Sequence, residues 1–318
     1  MNRPIHRRLA LATLALAGLC ASLAPALAQT AVELRIGFQK SASLLTLQKA
    51  QGTLEKKLAP LGASIRWVEF PAGPQLLEGL NVGSIDIGFV GEAPPIFAQA
   101  AGANFVYIGH DPAAPEAEGI VVPKDSALRS IADLKGRKVA FNKGSNVQYL
   151  LVKALEKAGL TYTDIQPVFL TPADARAAFE KGAVDAWAIW DPFLSAIEKQ
   201  TGARLLTDAR GIVPNHAYYL AERGFVQKHP KIVQAVFEDN AQQARWLKAN
   251  LREAARIIAP VQGLDVEIVE QAIRRYQYGV TPLTPEVIAA QQKVADTFAE
   301  LKLIPRAIRI ADAVLAPQ

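Results

Sequence analysis

The chain has 318 residues, half of them hydrophobic and a fifth charged, with 35 basic and 30 acidic side chains for a formal charge of +5. That composition excludes a disordered or fibrous chain and leaves room for two domains. One cysteine, four histidines and no basic stripe interleaved with aromatics argue against a disulfide framework, a zinc module and a nucleic-acid partner.

Residues 1–28 read as a secretory leader. Arg3, Arg7 and Arg8 form a positive start, 9–23 is apolar, and Ala26-Leu27-Ala28 is a small-x-small site, with cleavage expected after Ala28. The apolar run is short for a membrane anchor and is broken by Gly18 and Pro25. The bulky Leu19 before Cys20 argues against lipid modification there. Cleavage would remove the sole cysteine and three arginines, leaving a charge of about +2 and an exported protein stabilised by its core alone.

The remainder alternates strand and helix. Strands are predicted at 33–38, 65–70, 85–90 and 104–109. Between them lie a helix after Ser41 that runs to 58–60, one through Leu76, Leu77 and Leu80, and one over 94–102 with proline start and glycine stop. This β-α-β-α-β-α-β run predicts a doubly wound, mostly parallel sheet. Residues 120–123 read as a strand crossing to a second lobe. Strands at 138–141, 165–170, 185–190 and 203–206 follow, with helices after Asn146 and Thr171, and 218–221 crosses back. From Gln227 the pattern is helical: 232–250, 252–258, 266–276 and 285–301. The expected organisation is a leader at 1–28, lobe 1 at 29–121, lobe 2 at 122–219, and a return to lobe 1 with C-terminal helices at 220–318.

The two lobes repeat one another. Phe38-Gln39-Lys40-Ser41 matches Phe141-Asn142-Lys143-Gly144-Ser145-Asn146: each is a strand end, a polar loop and a helix start. Gly83-Ser84-Ile85-Asp86 before one buried strand matches Gly182-Ala183-Val184-Asp185 before another. After those strands come Gly91-Glu92-Ala93-Pro94 and Trp190-Asp191-Pro192, loops whose prolines open helices. Four helix N-termini, two per lobe, are therefore expected to face one cleft. Free first-turn N–H groups and the helix dipole suit an anion there.

Catalytic signatures are missing: the chain has no GxSxG, HExxH, P-loop or GxGxxG. Binding is the simpler account, and a sulfonate is the simplest ligand, a permanent monoanion that only accepts hydrogen bonds. Trp190, Tyr218 and Tyr219 could wall an alkyl group. Lys40 and Lys143 read better as solvated lysines than as ligand contacts. Glu92 and Asp191 could orient donors, pair with a lysine, meet a ligand amine, or simply cap helices.

These stretches carry a resemblance. Together with Trp67-Val68-Glu69-Phe70-Pro71-Ala72-Gly73-Pro74, Pro94-Pro95-Ile96-Phe97-Ala98-Gln99, Leu170-Thr171-Pro172-Ala173-Asp174-Ala175-Arg176 and Ala186-Trp187-Ala188-Ile189-Trp190-Asp191-Pro192, the chain resembles the periplasmic binding proteins of ABC importers for aliphatic sulfonates, within the nitrate/sulfonate/taurine class. The resemblance spans nearly all of the chain after the leader. It implies a type II two-lobed α/β fold with two hinge crossings, and a cofactor-free, monomeric receptor that hands an alkanesulfonate to a membrane permease. It also implies pocket residues Gln39 and Ser41, Gly91 and Glu92, and Gly144, Ser145 and Asn146, with Trp190 and Asp191 on the facing wall; Tyr218 joins the expected site as part of the apolar wall. Glu92-Ala93 and Asn146-Val147 depart from residues common in close members, Asp and Ile at the first pair and Ser or His at the second; a longer acid and a valine beside the anion loop would alter pocket size. An enzyme of thiamin-pyrimidine synthesis shares the scaffold, but the leader and the missing mature cysteine argue against that activity.

Overall fold

The computed structural model describes residues 32–315, so the leader and its cleavage site lie outside the described residues. Ten strands form two five-stranded sheets. The first half supplies β1 (Val32–Phe38), β2 (Ala63–Glu69), β3 (Ile87–Gly91) and β4 (Phe105–Asp111), with helices α1 (Ser43–Gln51), α2 (Thr53–Leu58), α3 (Gly73–Asn81) and α4 (Ala93–Ala100). The second supplies β5 (Glu118–Val122), β6 (Lys138–Phe141), β7 (Gln166–Phe169), β8 (Ala186–Trp190) and β9 (Arg204–Asp208), with α5 (Asn146–Lys157), α6 (Pro172–Glu180) and α7 (Phe193–Thr201). After β10 (Ala217–Glu222) come α8 (Arg223–Lys228), α9 (Pro230–Ala249), α10 (Leu251–Gln262), α11 (Val266–Arg275) and α12 (Pro285–Glu300).

The sheet orders are β2-β1-β3-β10-β4 and β7-β6-β8-β5-β9. They are one order used twice, and the strand inserted in fourth place, β10 or β5, is the first after a crossing between the sheets. The inserted strand arrives from the cleft end and must run against its neighbours. β10 is antiparallel to β3 and β4, and β5 to β8 and β9, while β1–β3, β6–β7 and β6–β8 are parallel. The expected mostly parallel sheets are thus mixed. Residues 120–123 do not cross between lobes, because β5 already lies wholly in the second sheet; the crossings are 112–117 and 209–216. They bond to each other: the Ala114 N–H donates to the Pro214 carbonyl at 3.1 Å, and the Asn215 side-chain amide to the Ala114 carbonyl at 2.8 Å. Asn215 takes a left-handed φ of 53° to do this.

The repeat extends to hydrogen bonds. Asp86 accepts from the Arg35 N–H, and Asp185 from the Lys138 N–H, each at 2.8 Å. Each acid, just before the third strand of its sheet (β3 or β8), ties that strand's entry to the second strand (β1 or β6). The helix expected to run from Ser41 to 58–60 is two helices, because Gly52 adopts φ 62° and closes α1 with a bond from its N–H to the Gln48 carbonyl. α9 to α11 pack on lobe 1 through a cluster that includes Leu44, Leu47, Leu247, Ile258, Val269 and Ile273. α12 lies across the lobes: Phe298 packs on Phe97 of lobe 1 at 5.0 Å and Tyr149 of lobe 2 at 5.8 Å.

Candidate functional site

The parallel strands of both sheets end at one cleft, where α/β proteins place their ligands. It encloses about 540 Å³ of space unfilled by atoms, open solvent at its mouth included. Six of the ten predicted site residues line it: Gln39 and Ser41 before α1, Gly91 at the end of β3, Ser145 and Asn146 at the start of α5, and Trp190 at the end of β8. The lobes nearly touch here. A Cβ built on Gly91 would sit 1.8 Å from Asn146 Oδ1, and one on Gly144 would sit 3.6 Å from the Phe97 ring.

The other four lie behind the wall. Gly144 has a left-handed φ of 77°, and its N–H donates to Gln148 Oε1 at 2.7 Å, so it shapes the turn. Glu92 is 1% exposed. Its Oε2 accepts from the His216 N–H at 3.1 Å, Oε1 has no partner, and burial pushes its pKa up to about 8. Asp191 is fully buried. Its Oδ1 accepts from the Ser195 N–H at 2.8 Å, and Arg275 Nη1 stands 3.4 Å from Oδ2. Burial outweighs that cation and raises the Asp191 pKa to about 6. Tyr218 is buried edge-on against Tyr107, with ring centroids 5.2 Å apart and its hydroxyl unpartnered.

The helix termini are unequal. α4 opens with Pro94 and Pro95, which carry no N–H, and α7 gives its Ser195 N–H to Asp191. α1 and α5 remain as the anion-facing termini. The Ser145 hydroxyl donates to the Asn142 carbonyl at 2.6 Å, so its hydrogen already has a partner within the loop. Asn146 Nδ2 donates to Asn215 Oδ1 at 2.7 Å, tying the α5 start to the second crossing.

Neither lysine reaches the cleft. Lys40 Nζ donates to the Gln262 carbonyl at 2.7 Å and closes the end of α10, and Lys143 Nζ sits 5.4 Å over the Phe169 ring. Among the described residues no lysine or arginine lines the cleft, and Asp111, at the end of β4, is the one charged residue there. Burial raises the Asp111 pKa to about 7 against the Gly279 amide and Lys248, and its Oδ1 has no partner. Sequence reasoning missed Asp111, as well as Asn215, Phe89, Tyr276 and Gln277. Asn215 belongs to a crossing, and Tyr276 and Gln277 arrive from the C-terminal return, so none lies beside a recognisable motif. Phe89, Trp190 and Tyr276 provide an apolar side to the cleft. Among the described residues no group of three or more His, Cys, Asp or Glu is arranged to hold a metal.

A donor-lined cleft between two duplicated lobes can be compared with known proteins. Residues 28–259 match the model of the NMT1-like family. A putative aliphatic sulfonates-binding protein of Escherichia coli K12 is 44% identical over 96% of each chain. The alkanesulfonate-binding protein SsuA of Xanthomonas axonopodis pv. citri, solved bound to MOPS, superposes with a TM-score of 0.86 at 45% identity, covering 89% of this chain and 98% of that one. A desulfurization enzyme at 18% identity and TM-score 0.66 shares the fold alone. The chain belongs to the NMT1-like family, alongside the sulfonate-binding proteins it resembles along nearly its whole length.

Proposed function

We propose that this protein is an extracytoplasmic receptor that captures aliphatic sulfonates between its lobes and delivers them to an ABC permease in the inner membrane. The observation that carries the reading is the cleft lining: Gln39, Ser41, Asn146 and Asn215 with the α1 and α5 termini and, among the described residues, no lysine or arginine. Neutral donors and helix dipoles suit a permanent monoanion, whose oxygens only accept hydrogen bonds. Phe89, Trp190 and Tyr276 suit an alkyl chain. The names of its relatives agree with this chemistry. Ligand bridging the lobes shifts an open–closed equilibrium about crossings 112–117 and 209–216. The protein acts as a monomeric periplasmic receptor without a cofactor.

Asp111 favours a second reading. An acid as the one charged lining residue among the described residues suits a ligand that carries an ammonium as well as a sulfonate. A thermal-shift and calorimetric panel of alkanesulfonates, taurine, sulfate, sulfate esters and nitrate tests both. An alkanesulfonate at a hundred times its Kd should stabilise by about 2.7 kcal/mol. A flat response to every sulfonate overturns the first reading. Amino and plain sulfonates of equal length binding equally overturns the second.

A further inference from the structure

Asn215 lies in the second crossing and lines the cleft beside Asn146. It is 5% exposed. Its backbone takes a left-handed φ of 53°, which asparagine tolerates better than most residues that carry a Cβ. Both ends of its amide are engaged, each with a different part of the molecule. Nδ2 donates to the Ala114 carbonyl of the first crossing at 2.8 Å, and Oδ1 accepts from Asn146 Nδ2 at the start of α5 in lobe 2 at 2.7 Å. The Ala114 N–H returns the contact, reaching the Pro214 and Asn215 carbonyls at 3.1 and 3.2 Å.

Elementary chemistry fixes the direction of these bonds. A carbonyl oxygen only accepts, so Ala114 turns the Asn215 NH2 toward itself and leaves Oδ1 for the other side. Oδ1 also only accepts, so Asn146 must present its NH2 to Asn215. Asn146 then meets lobe 1. A Cβ on Gly91 would stand 1.8 Å from Asn146 Oδ1, 2.3 Å from Cγ and 2.4 Å from Nδ2, so the Asn146 amide occupies the space that glycine leaves. One oriented chain of amides therefore joins both crossings and both lobes, and it ends within the cleft lining.

We propose that Asn215 is a positioning residue for capture: paired with Ala114, it holds the Asn146 amide in the orientation that packs on Gly91 beside the ligand. Its effect on affinity passes through Asn146. The crossings carry the hinge motion, so the bond to Ala114 ties the posture of the hinge to a side chain at the ligand. Without that tie the Asn146 amide can turn over, and ordering it again is a cost at each capture.

The position asks for three properties at once: a left-handed φ, a donor toward Ala114 and an acceptor toward Asn146. Glycine meets only the first. Aspartate keeps the acceptor but, when ionised, has no hydrogen for a carbonyl. Leucine has neither polar group and is strained at this φ. An asparagine that served only its own turn would bond its own backbone a residue or two away. Here the two ends reach residues 101 and 69 positions distant.

This inference rests on the proposed sulfonate capture and is tested on the full chain with propane-1-sulfonate. Asn215→Gly accepts the backbone conformation and removes the amide. Kd should rise about tenfold, mostly through faster release. In an Asn146→Ala background the same substitution should change Kd by less than about twofold, because the chain of amides is already cut. A hinge that needs only its turn would lose the same factor in both backgrounds, and that additive result overturns the proposal. Hydrogen exchange supplies a second readout. With 15N-asparagine labelling, the Asn146 Nδ2 signal is assigned by its loss in Asn146→Ala. It should be protected in the ligand-saturated wild type and unprotected in ligand-saturated Asn215→Gly. Protection that survives in Asn215→Gly overturns the positioning role. An unprotected Asn146 amide in the saturated wild type overturns it too, even where Asn215→Gly fails to fold. No binding of propane-1-sulfonate by the wild type overturns the sulfonate reading, and the positioning role falls with it.

Discussion

Gly91→Ala probes the closest approach of the lobes. The new Cβ would lie 1.8 Å from Asn146 Oδ1 and 2.3 Å from Asn146 Cγ. Asn146 must swing away, breaking its 2.7 Å bond to Asn215, or the lobes must stand apart. Loss of that bond is worth about 1 kcal/mol, and residual overpacking about 1–3 kcal/mol. Together these weigh about 2–4 kcal/mol against the closed form, which weakens ligand about 30- to 1000-fold. The open form has no such clash, so the ligand-free melting temperature should move much less than the affinity. Calorimetry on a double-mutant cycle is the assay. Asn146→Ala alone should weaken binding by about 1 kcal/mol, and Gly91→Ala added to it should weaken binding little further. Additive losses, or an unchanged affinity in Gly91→Ala, would refute the claim that these two residues meet when ligand is held.

Arg275→Met removes the cation paired with buried Asp191 and also its 2.8 Å bond to Glu198. The expected loss is about 1–3 kcal/mol in urea denaturation at pH 8. Asp191 already has a raised pKa of about 6, and without Arg275 it rises further. Its charge therefore destabilises the fold as pH rises through that value, and the loss should shrink at pH 5, where the acid is protonated. A loss equal at both pH values would show that Asp191 is not the group left behind. The paired acids at the strand starts offer a comparison between lobes. Asp86→Ala strips the Arg35 N–H and guanidinium of their partner and should cost about 2–3 kcal/mol; Asp185→Ala strips only the Lys138 N–H and should cost about 1–2 kcal/mol. The reverse order in chemical denaturation would refute the ranking.

The duplication was legible because it is written in short local patterns. Gly83 to Asp86 and Gly182 to Asp185 matched in sequence, and their acids make the same backbone bond in the two lobes. Strand ends also read well, since a buried run that stops at a polar loop marks the cleft edge of a parallel sheet. Other features depend on contacts far apart in sequence. Nothing near Tyr218 announces that β10 will wedge between β3 and β4 and run against them. Nothing around Glu118, the first residue of β5, announces that the fold will bury it completely. Tyr276 follows α11 and reaches the cleft because α10 and α11 pack on lobe 1 while Arg275 and the Tyr276 hydroxyl grip lobe 2. Residue types also overstated the donors: Ser145, Pro94 and Pro95 stand at helix starts, but one has its hydrogen engaged and two have none to give.

The two grips between the lobes differ in kind. The Gly91–Asn146 approach lies at the ligand, whereas Arg275 bonds Glu198 on α7 and pairs with Asp191 beside it. A ligand shifts an open–closed equilibrium only by its difference in affinity for the two forms. The first grip is where that difference arises, because Gly91 and Asn146 meet within the lining of the cleft. The second lies outside the cleft lining and biases the closed form before ligand arrives. Weakening Arg275 should then lower apparent affinity by depleting the closed form, without altering which sulfonate is preferred. Changes at Asn146 or Asp111 should reorder the preferences themselves. Measuring two sulfonates of different length on Arg275→Met separates the grips: a constant ratio of affinities supports the division, and a changed ratio places Arg275 within the binding chemistry.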